Sequence, residues 1–216
     1  MLKRSMDCLL SILFLTAALP IMAIAALLIK FDSPGPLLFS QLRMGRNFRP
    51  FRLVKLRTME SESAGDSITL GRDPRITRVG HWLRKLKIDE LPQLWNVLLG
   101  DMSFVGPRPV ILDLAHEFRP QYERLLTVRP GLTDPATLRY MNEVELLACI
   151  EEPMQYFRTV LTPHKLRLSE EYLDRANLRT DLLLILKTAK CLMQTAMGSL
   201  LGQLEPQPNR NPARSA

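Results

Sequence analysis

The sequence predicts a predominantly α-helical protein with a small β-hairpin and a membrane-associated apolar N-terminus. Three observations carry that prediction. Leu9 to Ile29 holds no charged residue. Apolar residues recur at helical spacing through much of the chain after Asp73. Two short apolar runs, Leu37–Phe39 and Phe51–Leu56, flank a turn at Met44-Gly45-Arg46-Asn47, which is a hairpin pattern.

The N-terminal run is 21 residues long, about 32 Å of ideal helix, against a hydrocarbon layer of about 30 Å. Pro20 sits in its middle, where it removes one backbone hydrogen bond. Lys3 and Arg4 precede the run and Lys30 follows it, so both ends favour the same, cytoplasmic side. Three arrangements meet these facts: a straight span, a cleaved signal peptide ending near Ala23–Ala25, or a re-entrant hairpin. The hairpin would have two half-helices, Asp7 to about Leu19 and about Pro20 to Ile29.

The remaining elements follow in order. Asp32-Ser33-Pro34-Gly35-Pro36 is a turn and Glu60–Asp66 a polar loop. Asp73-Pro74-Arg75-Ile76-Thr77 opens a helix that carries Ile76, Val79, Leu83 and Leu86 on one face. Asp89 is the expected N-cap of a second helix with Leu91, Leu94, Trp95 and Leu98 as its apolar stripe and Gly100 as its stop. Helices are expected over Asp113–Val128, Glu143–Ile150 and Tyr156–Ala176, with a turn at Arg129-Pro130-Gly131. Leu182–Leu201 is apolar but carries Lys187 and Lys190, which suits an amphipathic helix on a membrane surface. Glu205–Ala216 reads as a disordered tail.

A chain of 216 residues can bury one sizeable core beside a membrane element. Its net charge of +7 favours anionic partners such as phosphates and acidic lipids. An aromatic content of 6% without a base-stacking motif argues against nucleic acid. The three cysteines, Cys8, Cys149 and Cys191, are far apart and form no Cys-x-x-Cys pair, so neither a zinc site nor a disulfide framework is expected.

Asp89-Glu90 is the strongest chemical feature. Glu90 suits Mg²⁺, which prefers carboxylate and phosphate oxygens. Asp89 suits a nucleophile toward a phosphoryl group, since carboxylates form acyl phosphates. Arg84 and Arg108 offer bidentate forks for phosphate, and Pro107 and Pro109 fix the backbone around Arg108. Lys55 and Arg57 provide a second cationic pair. The plainer alternative is that Asp89 merely caps a helix and Arg108 is a surface residue. A non-catalytic membrane-surface protein using its basic face is the competing function.

Several blocks in order resemble the small monotopic bacterial phosphoglycosyl transferases, the bacterial sugar transferase family. They are Lys3-Arg4 with Asp7, the Pro-containing apolar run, Lys55-Leu56-Arg57-Thr58-Met59, Asp73-Pro74-Arg75-Ile76-Thr77, Asp89-Glu90-Leu91-Pro92-Gln93-Leu94, Gly100-Asp101-Met102-Ser103, Gly106-Pro107-Arg108-Pro109 and Arg129-Pro130-Gly131-Leu132-Thr133. The resemblance spans roughly residues 2–200. It implies a re-entrant hairpin over residues 1–30, a catalytic domain over 31–204 on the cytoplasmic face of a bacterial inner membrane, and a tail over 205–216. It further implies transfer of a sugar-1-phosphate from a nucleoside diphosphate sugar, expected to be a UDP-sugar, to undecaprenyl phosphate. Asp89 would be the nucleophile and Glu90 the Mg²⁺ ligand. Arg84, Arg108, Lys55, Arg57 and Arg129 would contact phosphate or substrate, with Arg139 standing in for a displaced arginine. The product would start an exopolysaccharide, capsule or lipopolysaccharide glycan. Further partners would be a second copy of the chain or downstream glycosyltransferases. Asp134–Asn142 departs from the family's usual Gly-, Trp- and Gln-containing continuation, so this segment is where the donor sugar is least defined.

Overall fold

A computed structural model describes residues 2–60 and 73–204. Most of the expected Glu60–Asp66 loop and the whole 205–216 tail lie outside the described residues. The described chain is predominantly helical. It begins with α1 (Leu2–Asp32), followed by β1 (Leu38–Met44) and β2 (Pro50–Leu56), which pair antiparallel as the expected hairpin. Next come α2 (Arg78–Lys85), α3 (Gln93–Leu99) and β3 (Ser103–Val105). Then α4 (Leu112–Glu117), α5 (Arg119–Leu125) and β4 (Gly131–Thr133) follow. The chain closes with α6 (Pro135–Arg139), α7 (Glu143–Ala148), α8 (Pro153–Tyr156), α9 (Thr162–Arg175) and α10 (Leu178–Leu204).

Among the described residues α1 is the one helix long and apolar enough to cross a membrane. It runs without interruption through Pro20, so the two expected half-helices are a single element. The support on both sides of the proline is visible in the packing. Arg4, Cys8, Ser11, Leu15, Ala18, Met22, Ala25, Ile29 and Asp32 are all shielded, at alternating steps of four and three. A stripe of that period lets one helix lie along one surface from end to end. At its N-terminal end, Asp7 accepts hydrogen bonds from the Ser103 hydroxyl and the Phe104 N–H, both 3.1 Å. Arg4 donates to the Val97 and Leu98 carbonyls, 2.5 and 2.6 Å, at the C-terminal end of α3. At the other end Asp32 accepts from the Val79 N–H at 2.9 Å, and Ala25 and Ile29 pack with Leu56 and Leu83. The opposite face leaves Leu9, Ile12, Leu13, Leu19, Ile24, Leu27 and Phe31 exposed.

Three departures from the sequence pattern have local causes. The single helix expected over 113–128 is two, because Pro120 cannot continue it and Phe118 leaves helical geometry at φ −106°, ψ 39°. The turn expected at Arg129-Pro130-Gly131 leads into β4, which pairs parallel with β3. Asp89 does not cap α3. Lys87 adopts a left-handed conformation (φ 57°) and folds Ile88–Glu90 into one 3₁₀ turn, so α3 starts at Gln93.

Two larger apolar clusters hold the body together. Met44, Val110, Leu125, Leu126, Leu147 and Leu161 build one. Phe51, Leu53, Leu94, Val97, Met102 and Phe104 build the other, against which Leu10 and Leu15 of α1 and Leu184 and Ile185 of α10 rest. Along α10 Asp181, Leu184, Ile185 and Thr188 are shielded while Leu182, Leu183, Leu186, Lys187 and Lys190 are exposed, so apolar and polar residues mix on both sides rather than dividing into the two faces expected of an amphipathic helix.

Candidate active site

Each sequence block around the dyad does a separate positioning job. In Lys55–Met59, Leu56 is core, Arg57 is buried and donates to the Ser33 and Pro34 carbonyls, and Met59 bridges to Ile76. The Thr58 hydroxyl accepts from Arg84 Nε at 2.7 Å and so aims that guanidinium. Thr77 caps α2 by accepting the Gly80 N–H at 3.0 Å. A Cβ on Gly80 would lie 2.2 Å from the Thr58 carbonyl, so only glycine lets α2 approach the segment that follows β2.

Gly106-Pro107-Arg108 and Pro130-Gly131 form one unit. Gly131 N–H donates to the Pro107 carbonyl at 2.9 Å and Gly106 N–H to the Thr133 carbonyl at 3.0 Å. A Cβ on Gly106 would meet the Arg129 carbonyl at 2.4 Å. This close backbone contact, added to the proline-restricted φ on both sides, fixes where Arg108 begins.

These elements surround a cleft of about 1210 Å³ lined by Asp89, Glu90, Arg43, Lys55, Arg84, Lys87 and Arg108, among others. Arg108 grips Glu90 with both ends of its fork, Nη2–Oε1 at 2.6 Å and Nη1–Oε2 at 3.3 Å. Glu90 is thereby held down at about 2: burial opposes ionisation, but Arg108, then Lys87 and Lys55, outweigh it. Asp89 behaves oppositely. Burial first, and the Glu90 charge second, push its carboxyl up to about 6. Its Oδ1 is buried with no hydrogen-bond partner. The Lys55 ammonium is pushed down to about 8 by burial and the neighbouring Arg84, and it lies 5.3 Å over the Phe39 ring. Burial and Arg108 likewise lower the Arg43 guanidinium to about 10. One carboxylate is thus neutralised by a fork, while its neighbour is left basic and unsolvated among cations.

The cleft therefore gathers Asp89, Glu90, Arg84, Arg108 and Lys55, with Arg57 at its wall serving the 33–34 turn. Arg129 lies elsewhere, its Nε donating to the Gly100 carbonyl at 2.6 Å to close α3. Arg139 ends α6, exposed and away from the cleft. The divergent segment does reach it, through Met141 and Asn142, and the next residue, Glu143, also lines it and is paired with Lys165 at 2.7 Å. Arg43 was not singled out by sequence reasoning, although strand alternation puts Phe39, Gln41 and Arg43 on one face of β1. Asn96 was also missed. It ties α3 to β2 through the Val54 N–H and the Arg52 carbonyl.

A buried carboxylate that shares its cleft with five cationic side chains, of which Lys55, Lys87 and Arg84 act on it directly, is chemically suited to a bound anion such as a diphosphate. The family model for bacterial sugar transferases matches residues 1–195. The chain is 38% identical over 198 residues to the UDP-glucose:undecaprenyl-phosphate glucose-1-phosphate transferase of Caulobacter vibrioides, covering 89% of this chain and 70% of that one. It is 34% identical over 211 residues to the exopolysaccharide production protein ExoY of Sinorhizobium fredii, covering 88% and 85%. An undecaprenyl-phosphate glucose phosphotransferase of Komagataeibacter xylinus is 46% identical over 140 residues, which is 61% of this chain but only 26% of that longer protein. On these matches, and with the dyad and its cationic cleft in place, the chain belongs to the bacterial sugar transferase family.

Proposed function

We propose that this enzyme transfers a sugar-1-phosphate from a UDP-sugar to undecaprenyl phosphate through a covalent phosphosugar on Asp89. The observation that carries it is the buried Asp89 carboxylate, one oxygen unpartnered, among Arg43, Lys55, Arg84, Lys87 and Arg108. The relatives named for transfer to undecaprenyl phosphate support the same donor and acceptor classes.

In the first step an Asp89 oxygen attacks the β-phosphorus of the donor. A carboxylate O–P bond forms, the bond from that phosphorus to the bridging oxygen breaks, and UMP leaves with the electron pair. In the second step a phosphate oxygen of the lipid acceptor attacks the same phosphorus, and the acyl-phosphate bond breaks to restore the Asp89 carboxylate. Neither step transfers a proton when the acceptor enters as a dianion. A carboxylate more basic than usual yet ionised at neutral pH suits this role. The cations oppose the repulsion between Asp89 and the donor and stabilise the leaving phosphate.

The carboxylates of this site suit a Mg²⁺ ion shared with the phosphates of the substrate. Among the described residues no group of three or more His, Cys, Asp or Glu gathers. Mg²⁺ commonly needs only one or two carboxylates when phosphate oxygens complete its shell. Glu90 would hold it in exchange for part of its Arg108 contact, with Asp89 as the neighbouring carboxylate. Bound there, it would neutralise phosphate charge.

The same proposal includes a monotopic membrane arrangement with the cleft on the cytoplasmic face. Both ends of α1 are fastened to the same body, at Val97–Phe104 and at Val79, while its other face is apolar. A helix crossing the bilayer would have to separate those ends.

The test is UMP release by nanodisc-held protein given undecaprenyl phosphate, Mg²⁺ and a panel of UDP-sugars. One donor should release UMP, and Asp89→Asn should lower the rate by at least about a thousandfold. Wild-type turnover in the variant would reject Asp89 as nucleophile.

A further inference from the structure

A second cleft, of about 410 Å³, opens where α1 and α10 begin, and it shares no residue with the catalytic cleft. Lys3, Arg4, Arg46 and Arg129 line it, with Asp7 and Asp181. Both carboxylates are already committed. Asp7 accepts from Ser103 and Phe104, and Asp181 is paired with Lys3 and the Tyr172 hydroxyl. Among the described residues none of the three arginines reaches a carboxylate. Their contacts are main-chain carbonyls: Val97 and Leu98 for Arg4, Thr127 for Arg46 and Gly100 for Arg129. A Cβ on Gly100 would lie 3.3 Å from Arg4 Nη2 and 3.9 Å from Arg129 Nη2, so these two guanidinium groups converge at one point. A guanidinium has five N–H donors, so each fork keeps donors beyond those contacts. The cleft is therefore short of negative charge.

We propose that this cleft binds the phosphate of an anionic membrane phospholipid whose acyl chains run along the apolar faces of α1 and α10. The surroundings favour a lipid over a soluble anion. Lys3 and Asp181 join the starts of the two helices, and Leu10, Leu15, Leu184 and Ile185 rest on one core cluster. Beyond that seam Leu9, Ile12 and Leu13 on α1 and Leu182, Leu183 and Leu186 on α10 stay exposed. Basic residues flanking an apolar helix are attracted to acidic headgroups. This cleft adds a formed cavity to that attraction, so a bound headgroup would anchor the seam between the two helices.

The test is thermal unfolding of the purified full-length protein in neutral detergent, titrated with dioleoyl-phosphatidylglycerol, with dioleoyl-phosphatidylcholine or with inorganic phosphate. Phosphatidylglycerol alone should raise the unfolding temperature. Arg46→Gln, at an exposed side chain, should raise the midpoint of that response about fivefold, the loss of one basic contact to an acidic headgroup. Arg119→Gln, an exposed arginine paired with Glu123 outside this cleft, should leave the midpoint unchanged. Equal responses to both lipids, an equal response to inorganic phosphate, or an unchanged midpoint in Arg46→Gln would overturn the proposal. Loss of the response in Lys55→Gln with retention in Arg46→Gln would also overturn it, by locating the lipid in the catalytic cleft.

Discussion

At the scale of single residues, the two adjacent carboxylates should titrate apart, and that separation is measurable. Asp89 sits up near 6 because it is buried beside Glu90, so UMP release should fall as pH drops through about 6. A rate flat between pH 7.5 and 5 would contradict this. The stability consequence has a definite sign. A carboxyl whose folded pKa is raised stabilises the fold when protonated, at low pH, and that contribution is lost as pH rises through about 6. Asp89→Asn should therefore be more stable than the parent at pH 7.5, by about 1–3 kcal/mol in urea unfolding, and the difference should shrink toward pH 4. Arg108→Lys keeps a charge but loses the two-pronged grip on Glu90, so kcat/KM should fall about tenfold to a hundredfold. An unchanged value would make Arg108 a mere counter-charge. At this scale the Asp89-Glu90 pair and the placing of Arg108 between prolines were legible, but their spacing alone left helix capping and a surface arginine open as the plainer reading. Arg43 was not, because one arginine in a strand has no local signature until the partner strand sets its face. Arg129 was attributed to substrate on resemblance, whereas its backbone bond to Gly100 depends on a contact 29 residues away.

At the scale of elements, the Gly106–Gly131 contact is the joint that sets Arg108. Gly106→Ala would force a Cβ against the Arg129 carbonyl, and such overpacking costs about 1–3 kcal/mol. The variant should lose stability in chemical denaturation and raise the KM for donor, because both β3 and Arg108 move. Wild-type stability would show that the strands part easily. The hairpin and most helices were legible because their periodicity is local. The parallel β3–β4 pair was not: each strand has three residues, and the partners are far apart in sequence. The 3₁₀ turn at Ile88–Glu90 was hidden for another reason. It depends on a left-handed Lys87, which a non-glycine residue rarely adopts and which no composition rule announces.

At the scale of the molecule, the apolar helix and the catalytic body are one packed unit. The sequence showed a membrane-length run with positive charge at both ends, which left span, hairpin and signal peptide open. The fastening of both ends of α1 to the body could not be read from the chain, because it depends on Asp7 meeting β3 and Asp32 meeting α2. If the arrangement is monotopic, cysteines replacing Lys3 and Ser33 should both be labelled only from the cytoplasmic side. Labelling of one from each side would require a span. The central claim is the covalent phosphosugar on Asp89, and peptide mass spectrometry of protein incubated with the active UDP-sugar and no acceptor tests it most directly. The expected result is a sugar-phosphate adduct on the peptide containing Asp89, absent in Asp89→Asn and discharged by undecaprenyl phosphate. Turnover with acceptor but no adduct without it, or an adduct on another residue, would contradict the account.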